Sequence, residues 1–199
     1  MKLSSPILVV SILAVPFSAI SGTETFRAEV TVQNAVVLTR DNPLNFGTVR
    51  AVADATGTDI AELVVSATPN ATPITESKNN TANALFAIIE DGEAASFTVS
   101  EAVPSAVLTI LDPVKTNLEF ENGQDTDRPD FSIGDWKYVI TSGDNNNADY
   151  TPGTPNLQVG QDGTVSFNLG ATLKTSSKVT SKPYANGVYA GTFQIEVAY

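Results

Sequence analysis

The chain has 199 residues, no cysteine, no histidine, and 22 acidic against 11 basic side chains. The formal net charge of −11 argues against nucleic acid and anionic membranes as partners, because both are polyanions. Because the chain has neither cysteine nor histidine, disulfides, thiol chemistry, a histidine base and the commonest zinc ligands are all excluded.

Residues 1–21 have the composition of a secretory signal peptide. Lys2 precedes an apolar run at 7–15, and the small residues Ala19 and Ser21 suit cleavage before Gly22. The run is too short to span a bilayer, and no other stretch is long and apolar enough. We therefore expect an exported protein in the periplasm, at the cell surface or outside the cell, with no membrane contact after processing. An uncleaved buried or anchoring helix is the alternative.

The remaining residues, 22–199, predict a single all-β domain. Short alternating segments rich in β-branched and aromatic residues are separated by turn residues, and no amphipathic helix is evident. Many short strands without intervening helices favour an antiparallel β-sandwich. Residues 68–83 are expected to form an exposed connection. The predicted strands are 24–39, 44–49, 61–67, 84–89, 95–100, 106–111, 117–121, 136–142, 164–169, 171–176 and 188–199.

The closing segment 188–199 has the cleanest alternation in the chain. One face carries Tyr189, Phe193, Ile195, Val197 and Tyr199, with Gly191 in the same row. That face is expected to point into the core. The side chains predicted to be largely buried, each on the apolar face of a strand, are Phe46, Phe97, Trp136, Phe167, Phe193, Ile195 and Val197.

The first predicted strand is unusually long. Phe26, Ala28, Val30 and Val32 begin an apolar face that continues for about 13 residues, whereas strands usually have about 5–6. One interpretation is a strand that switches sheets at a bulge near Asn34. The other is that residues 24–33 are a donor strand that leaves its own domain and completes the sheet of a neighbour.

Four segments resemble one known family. They are "LNFGTV" at 44–49, "ASFTV" at 95–99, "GQDGTVSFNLGATLKT" at 160–175 and "GVYAGTFQIEVAY" at 187–199. Together they look like a secreted bacterial domain of unknown function, similar to spore-coat-protein-U and archaic chaperone–usher pilins. The most specific positions, which the resemblance assigns to the family-motif core, are Phe46, Gly47, Tyr189, Gly191, Phe193 and Tyr199.

The resemblance implies an immunoglobulin-like sandwich that lacks one strand, with the gap filled by the N-terminal segment of the next subunit. A closing strand at the chain end is similar to the end of such pilins. The implied function is a structural, non-enzymatic subunit of a surface fibre. Its partners would be further copies of itself, other pilus subunits and a periplasmic chaperone.

The sequence leaves a second function open, which is a stand-alone secreted module for calcium or glycan. Calcium ligands are sought in the loops 121–136 and 143–150, although neither fits a known calcium-loop pattern. The first loop also carries carboxylates near Trp136, as a two-acid glycosidase would require: Glu121, Asp125, Asp127, Asp130 and Asp135. Ordinary solvated turns are the simpler explanation, so we expect no catalytic residues, no metal and no cofactor.

Overall fold

The computed structural model describes residues 27–32, 35–69, 75–114, 116–123 and 125–199. These residues form antiparallel strands and no helix, and hence no helix that could cross a membrane. The strands are β1 (Val37–Asn42), β2 (Thr48–Val52), β3 (Glu62–Val65), β4 (Thr75–Lys78), β5 (Leu85–Glu90), β6 (Ala95–Ser100), β7 (Val107–Leu111), β8 (Thr116–Phe120), β9 (Phe131–Ile140), β10 (Asp149–Tyr150), β11 (Leu157–Gln158), β12 (Val165–Lys174), β13 (Tyr189–Ala190) and β14 (Glu196–Ala198).

The chain divides into two compact units, 1–33 and 34–199. In the first, the described residues 27–32 form no strand and all are exposed. The second contains all of the strands that the structure describes. The signal-like residues 1–21 lie outside the described part of the chain, so the signal peptide stays a prediction.

The largest sheet is organised around β12. This strand pairs with β9 along one side, and along the other it pairs first with β6 and then with β3. The main strand order is β1-β6-β12-β9-β8-β13, with β4 beyond β3 and β10 beside β9. Strand β12 is therefore paired on both sides, which is why its apolar residues are almost completely buried.

A three-stranded sheet, in the order β11-β7-β14, supplies the opposite wall of the main core. One buried cluster combines Phe97 and Phe167 of the large sheet with Leu108, Ile110 and Val197 of the small one. The rings of Phe97 and Phe167 stack with their centroids 5.3 Å apart. Two antiparallel sheets thus bury their facing sides against each other, which confirms the predicted β-sandwich.

A second, smaller cluster lies beneath the two-stranded sheet of β2 and β5. It contains Leu63, Phe86, Phe131 and Leu173, and Tyr184 covers Phe131 with ring centroids 4.2 Å apart. The core of unit 34–199 is therefore built from two adjacent apolar clusters on the same large sheet.

A β-bulge in β9 separates the parts that serve these clusters. Gly134 pairs with Thr172 and Lys137 with Gly170, so two residues of β9 oppose one of β12. Asp135 adopts a left-handed backbone at φ 53°. The extra residue changes the alternation, since Phe131 and Ile133 are buried before the bulge and Tyr138 and Ile140 after it.

The loop after β2 is held by one buried carboxylate. Asp54 accepts hydrogen bonds from the backbone N–H groups of Thr56, Thr58 and Asp59 and from both threonine hydroxyls, at 2.7–3.1 Å. These bonds, led by those from Thr56, hold the pKa of Asp54 well below its usual range.

Several strand predictions need correction. The predicted strand 24–39 is wrong over 27–32, and its end is replaced by β1. Residues 188–199 form two short strands rather than one, and the predicted strands 164–169 and 171–176 are a single strand, β12. Strand β4 lies inside the predicted connection 68–83. It escaped notice because its residues are mostly polar.

The predicted core is confirmed in part. Phe97, Phe167 and Val197 are at most 9% exposed. The other four predicted residues are only partly buried, although each packs against one of the two clusters: Phe46, Trp136, Phe193 and Ile195. Three of these four, Phe46, Phe193 and Ile195, come from the first and last segments of the domain.

Candidate functional site

The candidate donor strand has its apolar side chains in solvent. Val30 is 86% and Val32 71% exposed, and Ala28 is also exposed. The intervening polar residues Arg27 and Glu29 form an ion pair with each other. Phe26 lies outside the described residues, as do 24–25 and 33. The described residues thus carry alternating apolar side chains that are exposed.

The closing segment is paired at its two ends and unpaired between them. Strand β13 pairs with β8, and β14 pairs with β7. Residues 191–195 between them join no ladder of the described strands. Yet they keep the predicted alternation, with Phe193 and Ile195 partly buried and Thr192 and Gln194 exposed. This segment therefore has the side-chain pattern of a core strand without its backbone pairing.

The family-motif residues of the closing segment have unequal environments. Tyr189 packs against Phe131 with ring centroids 4.9 Å apart, and Phe193 packs against Trp136 at the same distance. Tyr199 is 48% exposed, and its hydroxyl accepts a hydrogen bond from the Val103 N–H at 3.0 Å. Gly191 is exposed, so the expectation that it lies on the buried face is wrong.

Phe46 and Gly47 form the turn that leads into β2. Phe46 packs against the second cluster, and Gly47 has φ +79° with its N–H donated to the Asn45 side chain at 2.9 Å. A side chain at Gly47 would collide with the carbonyl oxygen of Glu90 and come within 2.7 Å of the Asp91 carbonyl carbon. Glycine is therefore required here both for backbone conformation and for space.

The first strands of the domain also have one partner each. Strand β1 pairs with β6 and β2 with β5, and neither has a second ladder among the described strands. Apolar residues in and beside these strands are partly buried against the two clusters, as Phe193 and Ile195 are: Val36, Leu38, Leu44, Val49 and Ala51. The incompletely covered side chains of the core thus come mainly from both ends of the domain.

The acidic loop 121–136 does not gather its carboxylates. Asp125 accepts a 2.8 Å bond from Lys182 and lies 3.3 Å from the Arg128 guanidinium. The Lys182 bond is the main cause of the lowered pKa of Asp125. Asp135 is paired with Lys174 at 2.7 Å, in a different cavity from that lined by Asp125 and Asp130. The carboxylates of this loop are therefore divided between two cavities.

The second candidate calcium loop, 143–150, is occupied by turn hydrogen bonds. The Asn145 side chain donates to the Asn156 carbonyl at 2.7 Å, and Asn147 takes a left-handed φ of 66°. Among the residues that the structure describes, no group of three or more acidic side chains is placed to hold a metal ion. The loop thus has an ordinary structural explanation.

A cleft of about 520 Å³ was not predicted from the sequence. It is lined by β3, β4, β9, β10, Ala171 of β12 and Asp112, which follows β7, and its aromatic side chains are Trp136, Tyr138 and Tyr150. The Tyr138 hydroxyl donates to Asp112 Oδ1 at 2.8 Å. Burial, together with this bond, raises the pKa of Tyr138 well above its usual range. We call this cavity the β9 cleft.

The protein is an antiparallel β-sandwich domain, and each of its terminal strands has one ladder partner among the described strands. The family described as Domain of unknown function (DUF4402) matches residues 36–199, and the chain therefore belongs to that family. No curated protein and no solved structure gives a significant match. The candidate donor strand 24–33 lies before the matched region.

Proposed function

We propose that the protein is a non-enzymatic structural subunit of a bacterial surface fibre that polymerises by β-strand addition. The observation that carries this proposal is the closing segment 191–195. It presents a core-strand alternation with partly buried Phe193 and Ile195 but no ladder among the described strands. An extended segment from a second copy would supply both the missing hydrogen bonds and the missing apolar cover.

The donor in this proposal is the segment 24–33. Ala28, Val30 and Val32 have the spacing of side chains that enter successive pockets of a groove, and all three are exposed. Donor and acceptor are different surfaces of one chain, so the contact is heterologous and propagates an open filament. The pilin-like, immunoglobulin-like topology implied by the resemblance belongs to this same proposal.

Export and a chaperone follow from the same reasoning. A fibre subunit must leave the cytoplasm, for which the signal-like residues 1–21 provide the route. A subunit with an unfilled groove exposes strand edges and apolar side chains that promote aggregation. We therefore include a periplasmic chaperone and other copies or pilus subunits among the proposed partners, and place the fibre at the cell surface.

The test is a pair of substitutions in the donor, Val30→Asp and Thr31→Asp. Both residues are exposed, so neither change should alter the thermal unfolding of the monomer. Val30→Asp places an unpaired charge in the acceptor groove, which costs several kcal/mol at every joint. We expect fibres to be absent by electron microscopy for Val30→Asp and present for Thr31→Asp.

Two outcomes would overturn the proposal. If Val30→Asp unfolds the isolated domain, residues 24–33 are the protein's own first strand. In that case the stand-alone module becomes the better account. If Val30→Asp still forms fibres like the Thr31→Asp control, this segment is not the donor.

A further inference from the structure

The β9 cleft lies within unit 34–199, and its lining contains neither the proposed donor segment 24–33 nor the proposed acceptor segment 191–195, although Trp136 packs against Phe193. Its volume of about 520 Å³ is within the range of roughly 300–1,000 Å³ that small-molecule sites occupy. We propose that the β9 cleft binds a neutral oligosaccharide. This inference is independent of whether the protein forms fibres.

The walls of the cleft are built by two departures from regular strand geometry. The bulge at Asp135 and Trp136 bends β9 opposite Ala171 of β12. Gly170 of β12 lies next to the chain that follows β3, and a side chain at this position would come within 2.6 Å of the Ala67 nitrogen. The glycine therefore lets the chain after β3 pass close over the sheet, where it forms the facing wall.

The lining offers the groups that recognise a sugar. Trp136 is held in place by a 2.9 Å hydrogen bond from its Nε1 to the Pro113 carbonyl and by packing against Phe193. A fixed indole is a large apolar surface for the C–H face of a sugar ring. Asp112 accepts one bond from Tyr138 and, as a carboxylate, can accept further bonds from ligand hydroxyls. The lining also includes Lys137, Asp149 and Thr151.

Part of the charge in the lining of the cleft is neutralised in ion pairs. The lining carries four carboxylates and two lysines: Glu76, Asp112, Asp135, Asp149, Lys78 and Lys137. Glu76 and Lys78 pair with each other at 3.0 Å, and Asp135 pairs with Lys174 at 2.7 Å. Because the opposite charges in each pair lie next to each other, they partly cancel, and the paired groups produce no strong electrostatic field of one sign. An anionic ligand is further disfavoured by the net charge of the whole chain.

The chain has one tryptophan, which lines the cleft and also packs against Phe193, so its fluorescence reports on the cleft and on the neighbouring segment 191–195. The full-length exported protein is titrated separately with cellohexaose, maltohexaose, N-acetylchitohexaose and trilysine. We expect a saturable change in Trp136 emission with at least one saccharide and none with trilysine. The same titration of the Val30→Asp variant should give the same result, which separates this inference from the fibre proposal.

Thr151→Arg fills the mouth of the cleft and should weaken saccharide affinity by at least about tenfold. Thr109→Arg, at an exposed position of β7 that is not part of the cleft lining, is the matched control and should bind like the parent. Should Thr151→Arg fail to fold, Asp149→Ala replaces it, with the exposed turn residue Asp144 changed to Ala as control. No response to any saccharide, a response to trilysine instead, or equal binding by the cleft and control variants overturns the proposal.

Discussion

Strand β12 and the closing segment of the chain both alternate apolar and polar residues, but they are held in very different ways. β12 has a partner on each side over most of its ten residues, and its residue Phe167 is 0% exposed. Residues 191–195 have no ladder among the described strands, and Phe193 is only partly buried. Alternation alone therefore specifies which side faces the core, whereas burial depends on the neighbours that a strand finds.

The difference between β12 and residues 191–195 is a difference in how neighbouring strands cover their side chains. A side chain on a doubly paired strand is covered by neighbours on both sides, while one on a singly paired strand shares a border with solvent. The partly buried residues near both ends of the domain occupy such borders. A strand supplied by a second copy would pair with this edge and cover the side chains that now border solvent.

The largest expected effect is on the free energy of unfolding when a phenylalanine is replaced by alanine in β12 and, for comparison, in residues 191–195. Phe167→Ala should lower the free energy of unfolding of the isolated subunit by about 3–5 kcal/mol, because it empties a fully enclosed site. Phe193→Ala should cost about 2 kcal/mol or less, since solvent already reaches this ring. Chemical denaturation of the monomeric Val30→Asp background measures both. Equal losses would remove the distinction between the two regions.

Hydrogen exchange provides the second comparison. The backbone amides of β12 should be protected to nearly the full stability of the domain, and those of 191–195 should exchange quickly in the monomer. In assembled fibres the amides of 191–195 should become protected while β12 changes little. Unchanged exchange at 191–195 on assembly would mean that this edge does not receive a strand.

A smaller effect on stability is expected from the loop after β2, in which Asp54 accepts several hydrogen bonds. Asp54→Asn removes the charge that accepts the loop hydrogen bonds and should destabilise the domain at neutral pH. Because the folded-state pKa of Asp54 is depressed, its stabilisation is present above the unfolded pKa of about 3.9 and declines as pH falls below it. Thermal unfolding of both proteins should therefore converge at acidic pH. A constant difference down to the lowest pH would show that the charge is not responsible.

The smallest effect is expected on doubly paired β12 itself. Lys174→Met removes ion pairs to Asp135 and Glu62 at 2.7 and 3.1 Å. These groups are partly exposed, so the change in unfolding free energy should stay within about 1 kcal/mol. Urea denaturation would reveal a larger loss, which would mean that charges rather than packing hold this region.

The sequence was sufficient for strands whose alternation coincides with pairing. Residues 95–100 were predicted as a strand and form β6, and Phe97 and Phe167 were correctly expected in the core. It was not sufficient where pairing departs from alternation. Residues 191–195 retain the pattern without a ladder partner among the described strands, and the bulge at Asp135, directly after Gly134, changes which residues of β9 face the core.

The β9 cleft could not be predicted because its walls come from strands distant in the chain. One local signal was present. Gly170 interrupts an otherwise continuous strand pattern, and this glycine permits the close approach of the chain after β3. The carboxylates near Trp136 were considered as a two-acid site, with solvated turns as the simpler explanation; of that loop's carboxylates only Asp135 lines the cleft, while Asp112 and Asp149 come from other segments.

Because the chain contains no cysteine, two introduced cysteines can test strand addition directly. Two differently sized tagged proteins, one with Thr31→Cys and the other with Gln194→Cys, are co-expressed and oxidised; in the proposed joint both residues lie on the polar face of their segments. Both positions are exposed, and adjacent strands bring side chains close enough for a disulfide. The account predicts a mixed disulfide dimer containing both tags, and none when Thr109→Cys replaces Gln194→Cys. Absence of the mixed dimer, with cross-linking confined to a single chain carrying both cysteines, would contradict assembly by strand addition between copies.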